Sequence, residues 1–210
     1  MKKTRLAILL SKLHTFEKPK AGLEQYSIDS QSASEILWNS YQLGDIEGKN
    51  IADLGCGTGI LGIGALLLGA KKCFFVDKDA RAVRIAKNNL LEAEKAARQK
   101  LSDRAIFLIG DIEKFKKEVH TVIQNPPFGT KQIHADTAFL EKALEIAKVV
   151  YSVHKTVTSD FIKKFTEKRD AAITHSWKLE LQLKPTMAWH KMNIYRPDVE
   201  CIRIEKIKKR

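Results

Sequence analysis

Cysteine is scarce in this sequence: Cys56, Cys73 and Cys201 are odd in number, far apart and without a C-x-x-C pair. That argues against both a disulfide framework and a zinc site. No run of about eighteen apolar residues occurs, and the N-terminal stretch mixes basic with apolar residues without a small-residue cleavage site. Neither a membrane span nor a secretory signal is expected, and the expected location is the cytoplasm. Internal repeats and low-complexity linkers are missing as well. With 210 residues, 44% of them hydrophobic and 30% charged, the chain suits a single compact domain with a substantial core. Negative charge is in short supply: 37 Lys and Arg stand against 25 Asp and Glu, a formal net charge of +12. An excess of that sign favours polyanionic partners such as nucleic acid, although many basic proteins bind none.

From Asn50 onward, short apolar runs alternate with longer amphipathic stretches, the pattern of an α/β fold in which helices connect strands of a parallel sheet. The pattern predicts strands at Asn50–Leu54, Cys73–Val76, Ala105–Ile109, Thr121–Gln124 and near Val150–Val153. Helices are predicted at Leu61–Leu68, Ala80–Arg98, Ala138–Val149 and Ser159–Lys168. Ala171–Leu183 and Val199–Ile207 lack a helical stripe and read as an antiparallel pair closing the sheet. The stretch between them, with Pro185, Trp189, Tyr195 and Pro197, is long enough for a functional loop. Ahead of the first strand, Thr4–Leu13 and Ser30–Tyr41 read as helices of an N-terminal extension, residues 1–45, packed on the catalytic core and lying across the sheet's ligand edge. Lys2, Lys3, Arg5, Lys18 and Lys20 there are either a phosphate-facing patch or a solvated face.

The segment DLGCGTG, Asp53 to Gly59, falls where the first strand turns into a helix, and its glycines let backbone approach a ligand closely. Gly57, Gly59 and Gly62 also satisfy G-x-G-x-x-G, so the turn taken alone serves a dinucleotide equally well. Two carboxylates sharpen the reading. Asp77 ends the second strand, where it can accept both ribose hydroxyls, and Asp111 follows the third, within reach of an adenine amino group. Asp53, ahead of the glycines, suits a cationic amino-acid moiety better than a pyrophosphate, which favours S-adenosylmethionine over a nicotinamide dinucleotide.

NPPF, Asn125, Pro126, Pro127 and Phe128, directly follows the apolar run HTVIQ and so sits at the carboxyl edge of the sheet, where open α/β folds bind ligands. An aromatic amine is a poor nucleophile because its lone pair is delocalised into the ring. Acceptance of its two hydrogens by the Asn125 side-chain oxygen and the Pro126 carbonyl would free that lone pair, with Phe128 stacking on the flat ring. Water can take the proton afterwards, so no general base is required.

The two motifs occur together with FEKPKAGLEQY (Phe16 to Tyr26), YSVHK (Tyr151 to Lys155) and WHK (Trp189 to Lys191). In this the chain resembles the methyltransferase-like protein 5 family of archaeal and eukaryotic ribosomal RNA adenine methyltransferases, over nearly its whole length. The resemblance implies a seven-stranded class I S-adenosylmethionine-dependent methyltransferase fold acting on the 6-amino group of adenine in small-subunit ribosomal RNA. It also implies cofactor contacts from Gln25, with Tyr26 beside it, Gly55, Thr58, Ile60, Asp77, Asp111 and Ile112, and an adenine held by Asn125 to Phe128. Ser27-Ile28 stands where family members commonly read Pro-Thr, which removes a hydroxyl. Eukaryotic relatives imply a small zinc-binding adaptor that covers an apolar strand edge. Two other functions compete: a glutamine methyltransferase of release-factor type, which uses a related NPPY, and a non-catalytic RNA-binding module. Phe128 and LEQY weigh against the first, and the intact motifs against the second.

Overall fold

A computed structural model describes residues 1–16, 28–127, 135–180 and 198–207. Two helices come first, α1 (Lys3–Leu10) and α2 (Ser30–Gln42), the latter started by Asp29, whose carboxylate accepts the Gln31 and Ser32 N–H groups at 2.9 Å each. Strands and helices then alternate: β1 (Asn50–Leu54), α3 (Ile60–Leu67), β2 (Lys72–Asp77), α4 (Ala80–Ala97), β3 (Ala105–Ile109), β4 (Val119–Gln124), α5 (Ala135–Ile146), β5 (Ala147–Lys155) and α6 (Ser159–Glu167). Strands β6 (Ala171–Glu180) and β7 (Asp198–Lys206) complete the sheet. The seven strands lie in the order β3-β2-β1-β4-β5-β7-β6, all parallel except β7, which runs against both β5 and β6. The fold is that of the class I methyltransferases.

Alternation along each strand divides the core between the two faces of the sheet. In β1, Ile51 joins the cluster under α1, α2, α3 and α4, whereas Ala52 and Leu54 join the cluster under α5 and α6. The N-terminal helices are part of the first cluster, with Leu6, Leu9, Leu10, Ile36 and Leu37 all buried. All three cysteines are buried in the same cluster. Among the described residues, no helix is long and apolar enough to cross a membrane.

Most predicted elements stand where the pattern put them. One exception is Ala147–Val149, predicted as the end of a helix: α5 stops at Ile146 and passes without a turn into β5. Two ladder pairs, Val119 with Ala147 and Thr121 with Val149, hold these residues extended, and the β-branched run Val149-Val150 suits a central strand. Helix α1 ends at Leu10 rather than Leu13, whose side chain is nevertheless buried.

Candidate active site

In the order β3, β2, β1, β4 the strands end at Ile109, Asp77, Leu54 and Gln124. Asp111, Asp77, the glycine turn and Asn125 therefore follow one another along the carboxyl edge, on strands about 4.8 Å apart. Gly57 and Gly59 take positive φ angles of 54° and 86°, which side-chain-bearing residues adopt only at a cost. A Cβ on Gly59 would also lie 2.9 Å from Cβ of Ala86, so α4 packs directly against the turn.

The two carboxylates nearest this turn build it. Asp77 accepts the Gly57 N–H through Oδ2 and the Asp79 N–H through Oδ1, both at 2.8 Å. Asp53, 2% exposed, accepts the Gly62 N–H at 2.8 Å and so ties β1 to α3. Burial pushes the Asp53 carboxyl up to about 7, against the opposing pull of the Gly62 N–H, and the Asp77 charge pushes the same way. Burial also raises Asp77 above the usual carboxylate range. Asp111 is exposed and caps the single turn Ile112–Lys114 through the Glu113 N–H at 3.0 Å. Gly110 N–H donates to the Asp77 carbonyl at 2.9 Å, which joins the ends of β2 and β3. Thr58 and Ile112 are buried, Gly55 and Ile60 half-buried.

Asn125 and Pro127 are half-buried and Pro126 is buried, one strand from the glycine turn: Leu54 and Gln124 are register partners, so Gly55 and Asn125 leave neighbouring strands side by side. Behind them lies a buried polar chain. Gln124 Nε2 donates to Ser152 Oγ at 3.0 Å, and Ser152 Oγ lies 2.7 Å from His154 Nε2. Where Nε2 is the unprotonated ring nitrogen, the Ser152 hydroxyl donates to it. Burial holds the His154 imidazole down at about 4, so it stays neutral and can accept that proton near pH 7. On the other face of the same strand, Tyr151 donates to Asp45 at 2.7 Å, and Asp45 also pairs with Arg203 at 2.8 Å. YSVHK thus makes buried polar contacts on both faces of β5.

Sequence reasoning missed Asn89. It is fully buried on α4; its Oδ1 accepts the His14 N–H at 2.8 Å, and its Nδ2 donates to the His14 and Thr58 carbonyls at 2.9 Å each. One side chain therefore fastens the segment after α1 to the glycine turn, and Phe16 lies beside Gly57. The signal is visible in retrospect: the buried stripe Ala82, Val83, Ala86, Leu90 and Ala93 has an amide where an apolar residue is expected. Gln25, Tyr26, Phe128, Lys18, Lys20 and the loop with Pro185, Trp189, Tyr195 and Pro197 lie outside the described residues. Ile28 is buried in the core at 3% exposure.

Residues 26–152 match the methyltransferase small domain family. The Drosophila melanogaster protein named rRNA N(6)-adenosine-methyltransferase Mettl5 is 35% identical, with 98% of this chain and 97% of the relative covered. An uncharacterized protein of Methanocaldococcus jannaschii is 36% identical over 99% of this chain and 95% of its own length. The crystal structure of PH1948 from Pyrococcus horikoshii superposes with a TM-score of 0.90 at 42% identity, covering 99% of each chain. The chain belongs to the METTL5 family.

The cofactor of this METTL5-family methyltransferase is S-adenosylmethionine, which supplies a transferable methyl group on a positively charged sulfur. The carboxyl edge fits it. Asp53 and Asp77 are carboxylates raised by burial, and neither forms an ion pair among the described residues. A cation beside them relieves their mutual repulsion, whereas a pyrophosphate would add to it. Asp53, Asp77 and the turn from Gly55 to Ile60 would hold the group there.

If Asn89 holds the N-terminal segment over this turn, Asn89→Ala weakens S-adenosylmethionine binding about tenfold, or ~1.4 kcal/mol. Backbone amides of residues 11–16 then exchange with deuterium faster, while the sheet stays protected. Unchanged affinity together with unchanged exchange at His14 would remove Asn89 from this role.

Proposed function

We propose that this METTL5-family enzyme transfers the methyl group of S-adenosylmethionine to the 6-amino group of an adenine in RNA, specifically small-subunit ribosomal RNA. One observation carries the reading: Asn125-Pro126 leaves β4 beside the glycine turn that leaves β1, so an amine acceptor and the methyl donor are served by adjacent strand ends. Two hydrogen-bond acceptors there, the Asn125 side-chain oxygen and the Pro126 carbonyl, match the two hydrogens of an adenine amino group. Drawing both into hydrogen bonds turns the nitrogen lone pair toward the methyl carbon. Pro126 and Pro127 stiffen the strand end so that this orientation is built in before the base arrives. Relatives from Drosophila melanogaster, Danio rerio and Caenorhabditis elegans, 31–35% identical over 95–98% of this chain, carry the name rRNA N(6)-adenosine-methyltransferase. The whole chain is proposed to work as one domain, with residues 1–45 an N-terminal helical extension packed on the catalytic core.

The adaptor implied for eukaryotic relatives has an available edge here. Strand β3 ends the sheet, with Leu108 39% and Ile109 61% exposed. Small-subunit specificity is tested by offering ribosomal small and large subunits that lack the modification, with methyl-labelled cofactor. Label enters the small subunit alone; equal labelling of the large subunit overturns the choice of substrate.

A further inference from the structure

The active-site edge carries the acids Asp53, Asp77, Asp79 and Asp111. In the N-terminal patch, Lys3 is paired with Glu35 at 3.5 Å. Among the described residues, a group of lysines stands at the opposite, amino edge of the sheet. Parallel strands begin side by side there in the order β2, β1, β4, β5. Around those starts stand Lys71 before β2 and Lys72 on it, Lys49 before β1, Lys116 and Lys117 before β4, and Lys148 on β5. Lys49 is half-buried and the other five are exposed.

Contacts tie Lys49, Lys71 and Lys148 to one surface. Lys71 N–H donates to the Lys49 carbonyl at 2.8 Å. A shallow cavity of about 380 Å³ is lined by Lys49, Asn50, Lys71, Glu118 and His120. Besides burial, the charges of Lys49 and Lys148 hold the His120 imidazole below its usual range. Among the described residues, none of the six lysines forms an ion pair. Glu118 lines the same cavity, and Glu145, which lies within reach of the Lys116 charge, is paired with Lys142 at 2.7 Å. Like charges held close repel one another, and a polyanion removes that cost.

We infer that the amino edge of the sheet, centred on Lys49, Lys71, Lys72 and Lys148, is a second RNA-backbone contact surface that anchors a large substrate away from the reacting adenine. This rests on the RNA reading above and adds to it where, and by which residues, the bulk of the RNA is held. The four strand starts span about 14 Å, which lets several phosphates be met together. Strands of five or six residues separate this edge from the catalytic one, roughly 16–20 Å before the loops are added. A folded RNA or a subunit reaches both edges; a short oligonucleotide filling the catalytic edge does not. The contacts are to phosphates, so they supply affinity and salt dependence rather than sequence choice.

The test uses the full chain with Lys71→Gln, Lys72→Gln and Lys148→Gln together, and a control carrying Lys163→Gln and Lys164→Gln on α6 and Lys168→Gln just after it. Subunit binding and subunit methylation are measured from low to moderate salt, alongside methylation of a short adenine-containing oligonucleotide. The amino-edge variant raises KM for the subunit about tenfold and makes the log–log salt slope of binding shallower by about 2–3. Its kcat, its cofactor affinity and its activity on the oligonucleotide match the parent, as do all properties of the control. An unchanged KM and slope, or an equal change in the control, overturns the inference. If the parent methylates no RNA at all, the functional proposal fails instead, and the binding slopes still decide whether this edge contacts RNA.

Discussion

Asn125→Ala lowers kcat for methyl transfer by about a hundredfold or more while S-adenosylmethionine binding changes less than about twofold. The size follows from the role: removing one oriented polar group that acts on charge developing in the transition state costs about 10²–10³ in rate. The glycine turn is held by hydrogen bonds to Asp77, Asp53, Val76 and Asn89, none of which the substitution removes. The strand end is held from behind by Gln124, Ser152 and His154, which the substitution leaves in place. A loss confined to kcat, with KM for RNA little changed, marks an interaction made mainly in the transition state. Turnover equal to the parent contradicts the assignment, and a parallel loss of cofactor affinity assigns Asn125 to binding.

Asp77→Ala weakens S-adenosylmethionine binding by about 1.5–3 kcal/mol, or about 10- to 150-fold in Kd. Both oxygens of this carboxylate already accept backbone N–H groups, from Gly57 and Asp79. Any ribose hydroxyl uses their remaining lone pairs, so alanine removes the ligand contact and the brace of the turn together. Asp77→Asn separates the two, because the amide keeps one acceptor and loses the charge. Calorimetry is expected to order the affinities parent, asparagine, alanine. Unchanged affinity in the alanine variant removes Asp77 from the site.

Much of this edge was legible because a glycine turn and an Asn-Pro-Pro turn each follow a short apolar run, and such runs become parallel strands whose ends align. Asp77 and Asp111 were placed by the same logic. What the pattern did not reveal is how the acids are used. Asp53 was read as facing a cation, and its carboxylate also holds Gly62 across nine residues of chain, a contact that depends on how α3 docks. The start of β5 was misplaced because no turn residue punctuates Ile146-Ala147, so helix and strand periodicities run together. Asn89 and the Gln124, Ser152, His154 chain were hidden because their partners are distant in sequence: 75 residues separate Asn89 from His14 and 28 separate Gln124 from Ser152. The motif YSVHK pointed to the right strand without saying that alternate residues make polar contacts on opposite faces.

The most direct measurement offers methyl-labelled S-adenosylmethionine in parallel with unmodified small ribosomal subunits, naked ribosomal RNA, duplex DNA and a glutamine-bearing release factor, followed by digestion to nucleosides and amino acids. Because an adenine must leave its stack to reach Asn125, label is expected at unpaired or easily exposed positions. The predicted result is 6-methyladenosine recovered from RNA alone; label confined to the release factor would contradict the account.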